Sequence, residues 1–382
     1  MPGGLFELRR DDITGWWVAV VVDREFDRSR FALPAGAVGG PGHVCQNCRH
    51  APGDGVWMRT LKPQAFTIAG GERDLPDALT GRARAREAGR DGGREIGREV
   101  GREVGRDSGR ETAHEGSRDG GRESVREPGL GLVGDVGSWG TIVAPRLHHG
   151  SLARERESIV IEMLALARDE IGRARATGGT QYLQVVQNWG SQAGARTDHL
   201  CLDTYDLPQI PHRIGEELGG AARYLIREGI CPYCRLLRDE VARRERLVFE
   251  DAASVCVAPY ASRSPFELWV IPRRHDADFA RASDAQLASA AETLQKVLGL
   301  LDVLDGPPYN LVLHTAPLHE RVDETYHWHW EIHPRLREIA GLELGTGLPV
   351  NPVSPEAAVE ELLAQRDAAP GRSWDAFPRQ GR

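Results

Sequence analysis

The sequence contains no apolar run near the ~18 residues that a membrane span needs, and no charged-then-apolar leader opens it. The expectation is a soluble, cytoplasmic protein. Cysteine is sparse, at six residues, and four of these form two C-x-x-C pairs, Cys45/Cys48 and Cys231/Cys234. Without a secretion signal, such pairs read as metal or redox sites before they read as structural disulfides. Positive charge is not in excess either: the net charge is −8 at pH 7, which argues against general nucleic-acid binding.

What is present is most informative between Tyr326 and Leu336. The run Tyr-His-Trp-His-Trp-Glu-Ile-His-Pro-Arg-Leu alternates polar and bulky apolar side chains with period two, a strand pattern. A strand puts His327, His329 and Glu331 on one face, successive pairs about 7 Å apart. Two imidazoles and a carboxylate so placed can bind a metal, or set a nucleophile beside a polar helper. A strand with its polar face in water is the plain alternative, but Trp328 and Trp330 are expensive side chains for an ordinary edge.

The 382 residues suffice for a sizeable core and suggest two domains or one duplicated unit. From Arg82 to Arg126 an arginine recurs at every fourth position, interrupted only by His114, and from Arg86 onward an acid follows each. Frequent glycine costs about 1 kcal/mol per residue in a helix, more than the few tenths an Arg/acid pair returns. Residues 80–130 are therefore expected to be a solvated, charge-balanced, mostly disordered insertion.

On either side of it the chain repeats itself. Cys45-x-x-Cys48 answers to Cys231-x-x-Cys234, and Thr141–Pro145 with His148 to Trp269–Pro272 with His275. A long helical segment from Ser151 answers to one from Ser283, Tyr182–Val186 to Tyr309–Leu313, and His199–Asp203 to His327–Glu331. Five matches in one order point to a duplicated α+β unit. Its expected halves are 1–79 with 131–229 and then 230–366, followed by a frayed tail, 367–382. Near the end, Ser354 can cap a helix with Pro355 at its first position.

Candidate ligands follow from residue type. Cys45 and Cys48 supply two thiolates for a tetrahedral zinc, with His199 from the same half as a third ligand. Cys231/Cys234 offers the same pair with a less obvious fourth ligand. His314, His327 and His329, with a carboxylate from Glu216 or Glu217, make a second candidate site for zinc or iron. Hydrogen-bonded structural histidines are the alternative there.

The span Pro308–Pro355 resembles the C-terminal half of the galactose-1-phosphate uridylyltransferases, a branch of the histidine-triad superfamily. The resemblance rests on Pro308-Tyr309-Asn310, His314, Tyr326-His327-Trp328-His329, Pro334-Arg335-Leu336, Ala340–Gly347 and Asn351-Pro352. Pro265-Phe266-Glu267 and Pro272–His275 add to it. Upstream, Asp12–Val18 is similar to the family's opening strand, and Asn188-Trp189-Gly190 with Ala193-Gly194-Ala195 to its phosphate loop.

The resemblance implies an α+β fold of two histidine-triad-like repeats, antiparallel sheets flanked by helices, in a zinc-binding homodimer. The implied reaction is a double displacement that moves UMP between a UDP-hexose and a hexose 1-phosphate through a nucleotidyl-enzyme. It places His199 as a zinc ligand, Cys201 where the family has its nucleophilic histidine, and Asp203 where it has a helper glutamine. Trp139 takes the third-ligand position. Asn188 falls on a phosphate contact, Arg28 near a family arginine, and Arg337 and Glu343 on sugar-phosphate and sugar contacts. Glu217, His314, His327 and His329 fall where some members hold a second metal, zinc or iron. The nucleophile can then be Cys201, or His329 beside Glu331. The alternatives are a nucleotide- or sugar-phosphate-binding homologue that transfers nothing, and a related nucleotide hydrolase or phosphorylase.

Overall fold

The computed structural model describes residues 7–21, 55–61, 139–148, 151–177 and 179–368, all within one compact unit drawn from Met1–Arg73 and Val136–Arg382. The insertion expected at 80–130, the positions Arg28, Cys45 and Cys48, and residues 369–382 of the expected tail lie outside the described residues.

The main element is a nine-stranded sheet in which every pairing is antiparallel. Its strands are β3 (Trp57–Leu61), β4 (Trp139–His148), β5 (Tyr182–Trp189), β6 (His199–Leu207), β7 (Leu247–Glu250), β8 (Ser254–Val257), β9 (Leu268–Pro272), β10 (Tyr309–His314) and β11 (His329–Pro334). They lie in the order β3-β4-β6-β5-β10-β11-β9-β8-β7. Read outward from the central β5–β10 pair, the order descends β5-β6-β4-β3 on one side and β10-β11-β9-β8 on the other. The strands that carry the repeated motifs therefore occupy equivalent places. A small second sheet joins β1 (Glu7–Arg10), β2 (Trp17–Val20) and β12 (Val350–Asn351).

Two long helices, α1 (Glu157–Thr177) and α4 (Asp284–Leu300), cover one face of the large sheet. In α1 the apolar residues Val160, Met163, Leu164, Ala167, Ile171 and Ala174 recur at helical spacing and are all fully buried. A complete capping box starts α4: Ser283 Oγ accepts from the Gln286 amide at 3.3 Å, and the Gln286 side chain accepts from the Ser283 amide at 2.9 Å. Trp328 and Trp330 point into this core, edge-on to Phe279 at ring separations of 5.1 and 5.8 Å. Such pairs add about 0.5–1.5 kcal/mol each to the area they bury, which is the return on the two tryptophans.

The opposite face carries the polar side chains of β4, β6, β5, β10 and β11. Over its β9 end lie α2 (His212–Glu228) and α3 (Pro232–Arg243), with Tyr233, Leu237, Ala221, Trp269 and Ile13 in a smaller apolar cluster. The chain ends with α5 (Gly341–Thr346) and α6 (Pro355–Ala368), whose start Ser354 caps by accepting from the Ala357 amide at 3.2 Å. No helix among the described residues is long and apolar enough to cross a membrane.

One local expectation is corrected. The ladder of β11 begins at His329, so Tyr326, His327 and Trp328 precede the strand. The Trp328 amide donates to Asp276 O at 2.9 Å and the Tyr326 amide to Val322 O at 2.9 Å. These bonds end the ladder at His329. Trp328 keeps the core side of Trp330, and His327, near the Tyr233 ring as His329 is, sits beside Cys231 and Cys234.

Helix α2 reaches the β1–β2 turn at Gly220, where an added Cβ would lie 1.6 Å from the Ile13 carbonyl oxygen. In an open helix, glycine to alanine stabilises by about 1 kcal/mol. Here Gly220→Ala is expected to cost about 1–3 kcal/mol, because the helix must move away. The urea midpoint checks this, and an unchanged or raised midpoint contradicts the close approach.

Candidate active site and metal centres

Three groups of ligand-type side chains converge among the described residues. The first is Cys231, Cys234, His275 and His327. Cys231 caps the start of α3 and Cys234 sits in its first turn, His275 follows β9, and His327 precedes β11. Cys234 Sγ is 3.3 Å from His275 Nδ1 and 3.7 Å from His327 Nδ1. A tetrahedral zinc sets its ligand atoms roughly 3.3–3.8 Å apart. On the far side of each ring, Nε2 meets a backbone carbonyl, Asp323 O at 2.6 Å for His275 and Pro272 O at 2.9 Å for His327. A carbonyl only accepts, so Nε2 carries the proton on both rings and Nδ1 presents a lone pair to the thiols. The hydrogen bond from Cys231, reinforced by His327 and His275, holds Cys234 far below the usual thiol range. Burial pushes the His327 pKa down, toward the neutral ligand form. The donor set fits zinc.

His199 repeats this arrangement in the other half: its Nε2 lies 2.7 Å from Ala144 O, at the strand position equivalent to Pro272. The residue opposite His199 across the β4–β6 register is His148. Trp139, expected at the third-ligand position, instead pairs with Tyr205 at the other end of β4.

The second group is Glu217 on α2, His314 at the end of β10 and His329 at the start of β11, all buried. Glu217 Oε2 lies 3.0 Å from His314 Nδ1 and accepts from Tyr326 Oη at 2.8 Å. His329 Nδ1 meets His327 O at 3.0 Å, and its Nε2 is buried with no hydrogen-bond partner. Two imidazoles, a carboxylate and an orphaned ring nitrogen fit a divalent cation such as zinc or iron. His327, expected here, faces the cysteines instead.

The third group, Glu267, Glu331 and His333, is filled by guanidinium. Arg213 Nη2 donates to both Glu331 oxygens at 2.7 and 3.0 Å, and Arg213 Nε to Glu217 at 3.2 Å. Arg263 Nη2 bridges Glu331 and Glu267 at 2.9 Å each. Burial raises the Glu331 pKa, but Arg213 and then His314 outweigh it and hold the carboxyl well below its ordinary value. Glu267 has fewer compensating charges, and burial lifts it to about 6.

On the β4–β6–β5 part of the same face lie the expected catalytic positions. Asp203 accepts from Arg196 Nη2 at 2.6 Å and from Thr141 Oγ1 at 2.8 Å, while the Arg196 guanidinium sits 4.0 Å over Trp139. The negative charge on Asp203 is thus matched before any phosphate arrives. Cys201, two residues earlier and half-buried, points to the same face. The β5–β6 ladder pairs Val186 with Asp203; continued by two residues, that register sets Asn188 opposite Cys201. Asn188 Oδ1 accepts from Asn310 Nδ2 at 2.6 Å, which also donates to Ala193 O at 2.8 Å in the turn between Gly190 and Gly194. Arg337 and Glu343 form an ion pair with each other.

The residues that spacing alone left out are His275, as partner of Cys231/Cys234, and the arginines Arg196, Arg213 and Arg263. The repeat itself carried a signal for the first, since Cys45, Cys48 and His199 correspond to Cys231, Cys234 and His327. No spacing marked the arginines.

A continuous antiparallel sheet with this mirrored strand order, helices on one face and a cysteine–histidine cluster at a strand end define a uridylyltransferase-like fold. No protein-family model matches the chain. The ADP-glucose phosphorylase of Arabidopsis thaliana is 32% identical over 200 residues, 51% of this chain and 55% of that protein. The galactose-1-phosphate uridylyltransferase of Thermotoga maritima is 29% identical over 191 residues, 48% of this chain and 59% of that one. The chain thus spans a little over half the length of the curated relatives it matches. Among solved structures, a GalT-like protein from Arabidopsis thaliana superposes with a TM-score of 0.57 at 27% identity, covering 63% of this chain and 79% of that one. The Arabidopsis thaliana ADP-glucose phosphorylase with bound ADP-glucose shares the fold, with a TM-score of 0.63 at 22% identity over 94% of this chain and 98% of that one. The homologues of this chain are proteins of the galactose-1-phosphate uridylyltransferase family.

Two outcomes test the site. Mass-spectrometric metal analysis of Cys234→Ser is expected to show about one zinc per chain fewer than the parent, and equal metal content in the two refutes the cysteine–histidine centre. Glu331→Gln leaves the partly buried Arg213 and Arg263 underpaired, at a cost of roughly 3–5 kcal/mol. Chemical denaturation reads that loss; one below about 1 kcal/mol contradicts the buried network.

Proposed function

We propose that the chain is a nucleotidyltransferase of the uridylyltransferase type, moving UMP between a UDP-hexose and a hexose 1-phosphate with Cys201 as nucleophile. One contrast between the two halves carries this. His329, the equivalent position in the second repeat, is fully buried, with the rings of Tyr233, Trp269 and His314 at 5.0, 5.1 and 5.0 Å. No substrate phosphate can reach it without unpacking those rings. Cys201 is half-buried on the same sheet face.

In the first displacement, Cys201 Sγ as thiolate attacks the α-phosphorus of the nucleotide sugar. The S–P bond forms as the bond from phosphorus to the sugar 1-phosphate oxygen breaks, and that sugar 1-phosphate departs with the electron pair. In the second, an oxygen of another sugar 1-phosphate attacks the same phosphorus and returns the thiolate. Asn188 orients the phosphoryl oxygens. Arg196 neutralises Asp203, so the carboxylate does not repel them. Zinc at Cys231, Cys234, His275 and His327 would fix the approach of α3 to the strand end and supply no chemistry to phosphorus.

With this reading go the two-half domain division, a cytoplasmic setting and a homodimer. Ile339, Leu342 and Leu344, exposed at 59%, 55% and 76%, are apolar side chains that a second copy would cover. The likeness to ADP-glucose phosphorylase favours a second reading, in which inorganic phosphate is the acceptor of the same nucleotidyl group. A third, a binding protein without transfer, draws on the missing histidine.

The test uses UDP-glucose and ADP-glucose labelled at the α-phosphorus. Label is expected on the peptide containing Cys201, and Cys201→Ala should lower turnover by at least about 10³-fold. Turnover with glucose 1-phosphate or with inorganic phosphate as acceptor separates transferase from phosphorylase. Binding without label or turnover establishes the binding protein, and label on a histidine peptide overturns the assignment of Cys201.

A further inference from the structure

Four other arginines near the polar face have a carboxylate partner: Arg196 with Asp203, Arg213 and Arg263 with Glu331, and Arg337 with Glu343. Arg335 has none among the described residues. It lies directly after β11, anchored by its amide donating to Pro308 O at 2.6 Å, and its side chain is half-buried. Its Nε donates to Asn310 Oδ1. Asn310, 8% exposed, has its amide nitrogen fully engaged by Asn188 and Ala193. That arrangement orients both neighbours. The terminal nitrogens of Arg335 and Nδ2 of Asn188 remain donors with no protein acceptor among the described residues. A half-buried guanidinium with no counter-charge is only partly compensated by water, and burial pushes the Arg335 pKa down accordingly. An anion would supply what is missing, and a guanidinium with two outward nitrogens matches a phosphoryl group.

We propose that Arg335, rather than Arg337, binds the phosphate of the sugar 1-phosphate, which is the β-phosphoryl group of the nucleotide sugar, on a seat completed by Asn188. This rests on the nucleotidyltransferase reading and assigns its second phosphate. The order of strands supplies the reason. Asn188 on β5 faces Cys201 on β6 by register, so Asn188 is next to the phosphorus under attack. Arg335 reaches the seat from the Asn310 side, one strand farther from Cys201, a step of roughly 5 Å, comparable with the spacing of neighbouring phosphoryl groups. Arg337 already has a carboxylate partner in Glu343, whereas Arg335 has none among the described residues.

Calorimetric titration of the full chain and of Arg335→Gln and Arg335→Lys tests this. The ligands are glucose 1-phosphate, UDP-glucose, ADP-glucose, UMP, AMP and inorganic phosphate, each at two salt concentrations. Arg335→Gln is expected to weaken glucose 1-phosphate and both nucleotide sugars by roughly ten- to a hundredfold, with a shallower salt dependence, and to leave UMP and AMP within about twofold. Arg335→Lys should restore part of the loss, which a merely structural role would not do. Equal weakening of monophosphates and nucleotide sugars overturns the assignment, as does unchanged affinity for all. If inorganic phosphate binds and loses affinity in Arg335→Gln while glucose 1-phosphate does not bind, the seat serves a phosphorylase and the sugar-phosphate assignment falls. If the parent chain binds no nucleotide at all, the functional reading fails first, and the Arg335 titrations with glucose 1-phosphate and inorganic phosphate still decide whether an anion seat exists.

Discussion

Pleating makes each side chain of the large sheet choose between two faces, and α1 with α4 claims one face entirely. The aliphatic positions of β4, β5, β6, β10 and β11, together with Trp330, fill that side. Whatever polar residues those strands carry must then gather on the other. This one constraint brings Cys201, Asp203, Asn188, Asn310, His314, His329 and Glu331 onto a common surface, although they come from four strands and from both repeats. A one-residue slip in any strand would send its polar set into the helix-packed core, so the register is held by the same burial that stabilises the fold.

The two ends of that surface have met the cost of polarity differently. Under α2 and α3, charge is buried and must be balanced internally. Arg213 and Arg263 together with Glu217, Glu267 and Glu331 do so through geometry in which every carboxylate has at least one guanidinium donor. Networks of this kind add little net stability over apolar packing, yet breaking one is costly. They specify an arrangement, here the docking of α2 against β11. At the β6 end, Asp203 and Arg196 balance one another beside a half-buried Cys201, and the central Arg335 has no carboxylate partner among the described residues.

Much of this was legible in the residues. The repeat was visible in five ordered matches, and the strand order shows the matched strands in equivalent places. The alternation at 329–334 and the helical spacing at 159–174 both report burial directly, because one face of each is apolar. What spacing could not show was which cluster each histidine joins. His327 and His329 are two residues apart and both lie near the Tyr233 ring, yet His327 meets Cys231, Cys234 and His275 while His329 meets Glu217 and His314. Those partners are remote in sequence, and periodicity holds no record of them. The arginine pairings were hidden for a related reason: a long flexible side chain chooses its carboxylate by tertiary proximity, which Arg213 and Glu331 share across more than a hundred residues.

The place of His327 among the cysteines has a consequence for chemistry. In the second repeat, the first histidine of the motif belongs to the cysteine cluster and the second is walled in by aromatic rings, so the strand end there has become a structural joint. In the first repeat, His199 keeps the same carbonyl-fixed tautomer through Ala144, while the position two residues on changes from imidazole to thiol. A thiolate needs no partner to remove its proton once its pKa is low enough, whereas imidazole must present a lone pair held by a neighbour. The glutamine-type helper is then dispensable, and a carboxylate at that place is tolerable provided a guanidinium accompanies it. Asp203 and Arg196 meet that condition, so under the proposed reaction the residues at 201 and 203 are compatible with a phosphate beside them.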